Sequence, residues 1–298
     1  SLNIEKEKRA IQYLKSFEPE SEPYYLCYSG GKDSDAIKIL AQLAGVNFEA
    51  HHNLTTVDAP ETVRYIKSQP DVKIDRPVLT MWQKKKKKMI PPTRLIRYCC
   101  SELKERGGKG RVKITGVRWA ESKNRTDNSG LVQVIGKPKS MQKKAYEDGV
   151  NFQLTPRGGM VLNDDNDQSR RFVEQCYRTT STMVNPIVDW SDIDVWDFLS
   201  YYGCKSNPLY YCGENRIGCI GCPIAGYHQM KADFIRYPKY KTLYIHAFER
   251  MIENRKRNGL SVDDVWRDGT GVFKWWIGED PLQLQIFDLL EDGEIYDY

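Results

Sequence analysis

Ser29-Gly30-Gly31-Lys32-Asp33-Ser34 groups paired glycines, flanking hydroxyls, an ammonium and a carboxylate in one short run. Glycines let a backbone come close to an anion, and the hydroxyls of Ser29 and Ser34 add donors. Lys32 supplies a cation, and Asp33 is suited to help hold a Mg²⁺ ion. A second set is made of thiols: Cys99-Cys100, then Cys212, Cys219 and Cys222, the last followed by Pro223. A Cys-x-x-Cys with glycine inside lets two thiolates face one ion. Four thiolates from two distant segments suit either zinc or a 4Fe–4S cluster. Spacing does not choose between them, and a redox dithiol is a third option. Adjacent cysteines must both curl to one side, so Cys212 competes with that pair for a place and all five stay candidates.

The elements around these residues say how they would be positioned. Tyr24-Tyr25-Leu26-Cys27-Tyr28 is short, apolar and β-prone, and Ala36 to Leu43 has apolar residues at helical spacing. A buried strand, a glycine turn and a helix N-terminus form a phosphate cradle. Residues 46–53 read as a second strand, Pro60 opens the next helix, and residues 113–118 read as another strand. Such alternation predicts an α/β fold with a doubly wound, mostly parallel sheet, ligands lying at the carboxyl ends of the strands. The loops after Tyr28, Asn53 and Val117 would open there. Residues 4–17 read as an amphipathic helix, and 189–199 as another begun by a Ser or Asp cap. Residues 131–180, rich in Lys, Gly, Asn and Asp, read as an inserted hairpin or flap over the site. The expected organisation is a domain over 1–225 with that flap, then a helical extension over 226–298 ending in an acidic aromatic stretch.

The 298 residues carry a net charge of +5, with 40% hydrophobic and 29% charged side chains. That modest excess suits anionic ligands without demanding nucleic acid. No window reaches membrane-span length and no signal peptide is evident, which points to a cytoplasmic protein. Eight cysteines in a reducing compartment argue for metal or redox chemistry rather than disulfides. Cys27 and Cys204 read as small packed residues, and Cys176 carries no assignment. The run Lys84 to Lys88 is either a solvated helix face or a phosphate-backbone contact for a nucleic acid.

Ser29 to Ser34 resembles the PP-loop of the adenine-nucleotide α-hydrolase-like superfamily, the ATP pyrophosphatases. The Cys-Cys followed by a distant Cys-x-x-Cys resembles the cluster-binding pattern of adenylyl-sulfate and phosphoadenylyl-sulfate reductases. Thr56-Val57-Asp58-Ala59-Pro60-Glu61-Thr62 is similar to that family's Thr-Gly-x-x-x-Pro-Glu-Thr loop, with the glycine replaced. Residues 114–122, with Gly116, Arg118 and Ser122, are similar to its Thr-Gly-x-Arg-x-x-x-Ser element. Asn185-Pro186 through Trp196, then Asn207-Pro208-Leu209-Tyr210, is similar to its Asn-Pro-Leu segments. The resemblance covers residues 22–125 and 183–225.

It implies ATP or adenylyl sulfate bound by Ser29, Gly30, Gly31, Lys32, Asp33, Ser34, Thr56, Asp58, Glu61, Gly116, Arg118 and Ser122. Lys32, Asp33 and Arg118 would be catalytic, with Mg²⁺. A 4Fe–4S cluster, or zinc instead, would sit on four of the five cysteines. Reductases of the family carry a nucleophilic cysteine in a C-terminal Glu-Cys-Gly-Leu-His segment, and nothing after Cys222 in this sequence is a cysteine. The intact loop favours cleavage of the α–β bond of ATP, as in the iron–sulfur ATP pyrophosphatase of DNA phosphorothioation and in tRNA thiolation enzymes. The implied activity is adenylation of an acceptor for sulfur transfer, with a nucleic-acid acceptor, a sulfur-donor protein and a homo-oligomer as partners. Two other readings are an adenylyl-sulfate or phosphoadenylyl-sulfate reductase and a non-catalytic nucleotide-binding module with structural zinc. The run from Arg118 to Arg125 would add two more donors near this site, or form a salt-bridged loop.

Overall fold

The computed structural model describes residues 2–279, apart from 106, 137 and 263. Its strands are β1 (Tyr24–Cys27), β2 (Phe48–Asn53), β3 (Val72–Asp75), β4 (Val112–Ile114), β5 (Val132–Ile135), β6 (Gln153–Leu154), β7 (Met160–Leu162) and β8 (Ser181–Val184). The helices are α1 (Ile4–Ser16), α2 (Lys32–Ala44), α3 (Pro60–Lys67), α4 (Met81–Lys88), α5 (Lys123–Asn128), α6 (Pro138–Glu147), α7 (Asp167–Cys176), α8 (Asp192–Tyr201), α9 (Tyr227–Arg236), α10 (Pro238–Arg257) and α11 (Gly269–Trp276). Among the described residues, no helix is long and apolar enough to cross a membrane.

The chain forms two compact units. The first gathers Ser1–Asn53, Pro60–Asp75 and Arg106–Ile217; the second gathers Leu54–Ala59, Arg76–Glu105 and Gly218–Tyr298. This division differs from a boundary near 225, because two short upstream segments belong with the C-terminal helices. The acidic aromatic stretch expected at the end lies outside the described residues.

The first unit is an eight-stranded sheet in the order β3-β2-β1-β4-β8-β5-β7-β6. Strands β3, β2, β1, β4 and β8 run parallel, as in the pairing of Leu26 with Ala50 and with Ile114. From β1 the chain steps outward through β2 to β3, then returns to place β4 on the other side of β1. That reversal opens a crevice at the carboxyl ends of β1 and β4, where an open α/β sheet takes ligands. Leu26, Ile37, Leu40, Ala41, Val112, Ile114, Val184 and Phe198 are buried in one core that joins the sheet to α2 and α8.

Residues 131–180 contain the hairpin read from the sequence, β6 pairing antiparallel with β7, but it forms part of the main sheet and not a flap. Strands β5, β7 and β6 continue the main sheet, β5 pairing antiparallel with β8. The reason is apolar: Val132, Val134, Met160 and Leu162 have no exposed surface, and Phe172 and Val173 of α7 pack in the same core. A flap would leave those side chains in water, at roughly 1.5–3 kcal/mol for each large one.

The second unit is helical. Cys100–Lys104 forms a π-helical turn, and α9, α10 and α11 enclose an aromatic core around Phe234, Tyr244, Phe248, Phe273 and Trp276.

Candidate active site

The first unit builds its site from the turn between β1 and α2. Gly30 holds φ +77°, and a Cβ there would come within 3.0 Å of the Ile66 side chain. Gly31 is the N-cap of α2, so the start of a 13-residue helix faces whatever the turn encloses. Ser34 Oγ donates to the Gly31 carbonyl at 2.7 Å, while Ser29 Oγ accepts from the Gly31 N–H at 3.4 Å. Asn207 braces the turn from behind: fully buried, its Nδ2 donates to the Gly30 carbonyl and to Thr62 Oγ1, both at 3.0 Å. Tyr210 Oη accepts the Lys32 N–H at 2.9 Å.

Gly116, in the loop after β4, lies against the turn. A Cβ there would stand 2.9 Å from Asp33 Cβ and 3.1 Å from its carbonyl oxygen, so only glycine allows the two loops to touch. Two residues on, Arg118 is 2% exposed and donates from Nε to Asp33 Oδ1 and from Nη2 to Asp192 Oδ1, each at 2.7 Å. Lys32 Nζ stands 3.4 Å from Asp192 and 3.5 Å from Asp33. Burial opposes the Arg118 charge, but Asp33 and Asp192 outweigh it and raise its pKa. For Asp192, burial acts upward, yet Lys32 and Arg118 hold the carboxyl below its ordinary range. Two cations and two carboxylates thus form one network at the mouth of an anion cradle.

Beneath the turn, Asp35 accepts from Tyr28 Oη at 2.5 Å. Burial raises its pKa from 3.8 to about 6, against the hydrogen bonds of Tyr28 and Tyr65.

The other expected nucleotide contacts are distributed differently. Glu61 opens α3 and pairs with Arg64 at 3.8 Å. Ser122 caps α5 by accepting from the Arg125 N–H, and Arg125 pairs with Glu121 at 3.3 Å, so that loop is salt-bridged. Thr56 and Asp58 lie in the second unit. Thr56 holds φ +68°, so it occupies the place of the glycine in the loop it resembles. Its Oγ1 accepts from the Met81 N–H at 2.9 Å.

The second unit also holds Cys99, Cys100, Cys219 and Cys222, whereas Cys212 belongs to the first and is exposed. Among the described residues, no three His, Cys, Asp or Glu side chains stand close enough to hold a metal ion as they are. The four thiols nevertheless share one electrostatic neighbourhood. Cys100 is lowered by the hydrogen bond from Cys99, with Arg97 and Lys104 adding to it, while Cys99 is pushed up. Burial lifts Cys219 to about 11, and Lys104 opposes it. Cys219, then Cys222, Asp58 and Cys100 hold the Lys104 ammonium charged against its desolvation.

The loop between the later two cysteines is fixed from several sides. Tyr244 Oη donates to the Ile220 carbonyl, and Asp233 Oδ2 accepts from the Gly221 N–H, each at 2.8 Å. Gly221 holds φ +69°, and a Cβ would meet Phe234 at 2.5 Å. Four thiols on a pinned loop and a π-helical turn, with a lysine among them, fit a thiolate-held anionic group.

Of the remaining cysteines, Cys27 and Cys204 are partly buried and Cys176 is buried. Within the lysine run, Lys84 and Lys88 pair with Glu102 at 2.6 and 2.7 Å and Lys85 is fully buried, while Lys87 is exposed. Asp192 and Asn207 join the site, and Tyr210 partners the loop, without having been expected there from residue type or spacing. All three fall in segments that carried a resemblance, but only the fold shows that they close on Gly30, Lys32 and Arg118.

Residues 23–225 match the phosphoadenosine phosphosulfate reductase domain. An uncharacterised protein of Methanocaldococcus jannaschii is 26% identical over 295 residues, covering 91% of this chain and 57% of the relative. An uncharacterised 37.8 kDa protein of Escherichia phage 186 is 33% identical over 153 residues, covering 51% of this chain and 43% of the relative. The chain therefore spans about half the length of these relatives. Adenosine 5'-phosphosulfate reductase of Allochromatium vinosum is 41% identical over 39 residues, 13% of this chain and 15% of the relative. Among solved structures, phosphoadenylyl-sulfate reductase from Candida auris in a phosphate complex aligns with a TM-score of 0.42 and 15% identity, over 70% of this chain and 87% of that one. FMN adenylyltransferase of Candida glabrata with FAD and pyrophosphate aligns with a TM-score of 0.40 and 14% identity, over 74% of this chain and 65% of that one.

Proposed function

This chain belongs to the phosphoadenosine phosphosulfate reductase domain family, and from that premise we propose a nucleotide-binding PP-loop enzyme that takes ATP and adenylates an acceptor for sulfur transfer. The observation that carries this reading is the network of Lys32, Asp33, Arg118 and Asp192 at the mouth of the Gly30–Gly31 turn. An acceptor oxygen attacks the α-phosphorus of ATP, the bond from that phosphorus to the bridging oxygen breaks, and pyrophosphate leaves with the electron pair. Lys32 and the N-terminus of α2 stabilise the charge that develops on the pyrophosphate. Arg118, already oriented by Asp33, neutralises a second phosphate. A sulfur nucleophile then displaces AMP from the adenylated acceptor.

Asp33 would hold Mg²⁺, which screens phosphate charge when bound. Cys99, Cys100, Cys219 and Cys222 would hold a 4Fe–4S cluster, which supplies electron transfer or an iron that handles sulfur. The acceptor as a nucleic acid and a sulfur-donor protein remain part of the proposal, without support from the lysine run.

A second reading, reduction of adenylyl sulfate, is favoured by the 39-residue likeness to the Allochromatium vinosum enzyme. One experiment separates the two. Anaerobically purified protein is assayed for iron, zinc and acid-labile sulfide, with ATP and adenylyl sulfate compared as ligands. Iron with matching sulfide, preference for ATP, and pyrophosphate released only when an acceptor is added support adenylating sulfur transfer. Preference for adenylyl sulfate moves the chain to the reductase reading, and zinc makes the thiols structural.

A further inference from the structure

Lys85 stands apart from every other lysine of the described residues. Its side chain has no exposed surface, and its Nζ has no hydrogen-bond partner among the described residues. Four aromatic rings of the second unit surround the ammonium. Nζ lies 3.2 Å from the Tyr244 ring centre, 4.7 Å from Phe248, 5.0 Å from Trp276 and 5.4 Å from Trp82. Ring faces attract a cation, but they do not replace the acceptors that water would give it. Burial accordingly drives the Lys85 pKa well below its ordinary value, and the charge that opposes this is that of Cys99.

Indirect contacts link this cation to both cysteine segments. On α4, the flanking Lys84 and Lys88 pair with Glu102, two residues after Cys100. On the other side, the Tyr244 ring that covers Nζ belongs to the residue whose hydroxyl donates to Ile220, inside the Cys219–Cys222 loop. Trp276 of the same box lies 3.1 Å from the position of a Gly221 Cβ.

We propose that Lys85 is a fixed counter-charge for the anionic group that the four thiolates hold, and that α10 and α11 exist in this site to box that charge. Lys85 touches no reacting atom and acts as a positioning residue. The inference rests on the reading of Cys99, Cys100, Cys219 and Cys222 as ligands. A metal held by four thiolates carries net negative charge, whether the metal is iron in a cluster or zinc, so the bound group supplies what the buried ammonium lacks.

The test compares wild type with Lys85→Met, which keeps the length and the fit to the rings but removes the charge, and with Lys85→Leu as a second neutral variant. Iron and zinc content of the wild-type protein come first: a chain with neither metal overturns the ligand reading and this inference together. On iron-loaded protein, the midpoint potential is followed by electron paramagnetic resonance. Losing a nearby cation disfavours the added electron, so the potential should fall by about 59 mV, a tenfold change for a one-electron couple. Loss of iron to a chelator should accelerate about tenfold. The chelator-stripped protein should respond in the opposite direction, both neutral variants melting at a higher temperature than wild type. An unchanged potential and chelation rate in loaded protein overturn the inference while leaving the ligand reading intact. A lower melting temperature of the stripped variants identifies Lys85 as a packing residue and overturns it as well.

Discussion

Asp192 is the residue whose role can be tested most sharply in the first unit. It lies in the first turn of α8, 69% exposed, and its Oδ1 is 2.7 Å from Arg118 Nη2 and 3.4 Å from Lys32 Nζ. Those are the cations expected to meet phosphate, so a nucleotide must displace Asp192 before it gains them. Asp192→Asn removes the competing charge while retaining a side chain of the same size. Because the Asp192 carboxylate is largely in water, each of its ion pairs is screened and contributes about 0.2–1 kcal/mol, although the cations themselves are buried. Two such pairs sum to about 0.4–2 kcal/mol, or about twofold to thirtyfold in affinity at 1.4 kcal/mol per tenfold. Calorimetric titration of ATP and of inorganic pyrophosphate in the presence of a chelator should therefore show tighter binding to the variant. The gain should shrink as salt rises, because the competition is electrostatic. Equal or weaker binding in chelator would refute the reasoning and show that Asp192 holds Arg118 in place instead of blocking it. Weaker binding confined to Mg²⁺ solutions would show that the carboxylate assists the metal.

Three further outcomes follow from the same geometry. Lys32→Ala should abolish nucleotide turnover while leaving iron content at the wild-type level; turnover at the wild-type rate would remove Lys32 from the site. Asn207→Ala leaves the buried Gly30 carbonyl and the Leu209 N–H without their side-chain partner. Each such loss costs about 1–3 kcal/mol, so urea melts should show destabilisation of at least that size together with weakened nucleotide binding. Asp35, raised from 3.8 to about 6 by burial, favours folding in its protonated form. Its contribution is fully present below pH 3.8 and is lost as pH rises through about 6, a change of about 3 kcal/mol. Asp35→Asn should therefore match wild type in stability near pH 4 and exceed it at pH 7 in urea melts, and equal stability at both pH values would sink the assignment.

The legibility of this chain in its sequence follows from how local each signal is. The turn at Ser29–Ser34 could be read because its glycines, the preceding apolar strand and the following helical period are contiguous. Gly116 could be singled out only by resemblance, yet its reason is steric: any side chain would strike Asp33. Residues 131–180 misled because polar loops outnumber their short strands. Against a flap stands the alternation of Val132 and Val134, which face the core on a strand of four residues. The discontinuous second unit was not legible at all. Nothing local says that Leu54–Ala59 and Arg76–Glu105 belong with residues beyond 218, since that grouping depends on pairings such as Ile220 N–H to the Val57 carbonyl at 2.8 Å. The lysine run was ambiguous for the same reason, its partner Glu102 and its aromatic box being remote in sequence.

The two units treat their cations in opposite ways, and the contrast bears on what each one binds. In the first, Lys32 and Arg118 are already covered by Asp33 and Asp192, and the Asp192 carboxylate is largely in water. Cations that already have carboxylate partners can exchange an anion at modest cost, because the carboxylate and the ligand replace one another on the same donors. That is the behaviour an exchanging nucleotide and pyrophosphate require. In the second, Lys85 Nζ is sealed among rings with no hydrogen-bond partner among the described residues. Burial lets that group keep its charge only where an anion stays beside it, which favours a resident ligand over one that comes and goes. The electrostatics thus supports a substrate site in the sheet unit and a resident group on the thiols of the helical unit. Loading the four thiols with their metal should accordingly raise the melting temperature far more than saturating ATP does, and the reverse order would separate the two sites from these roles.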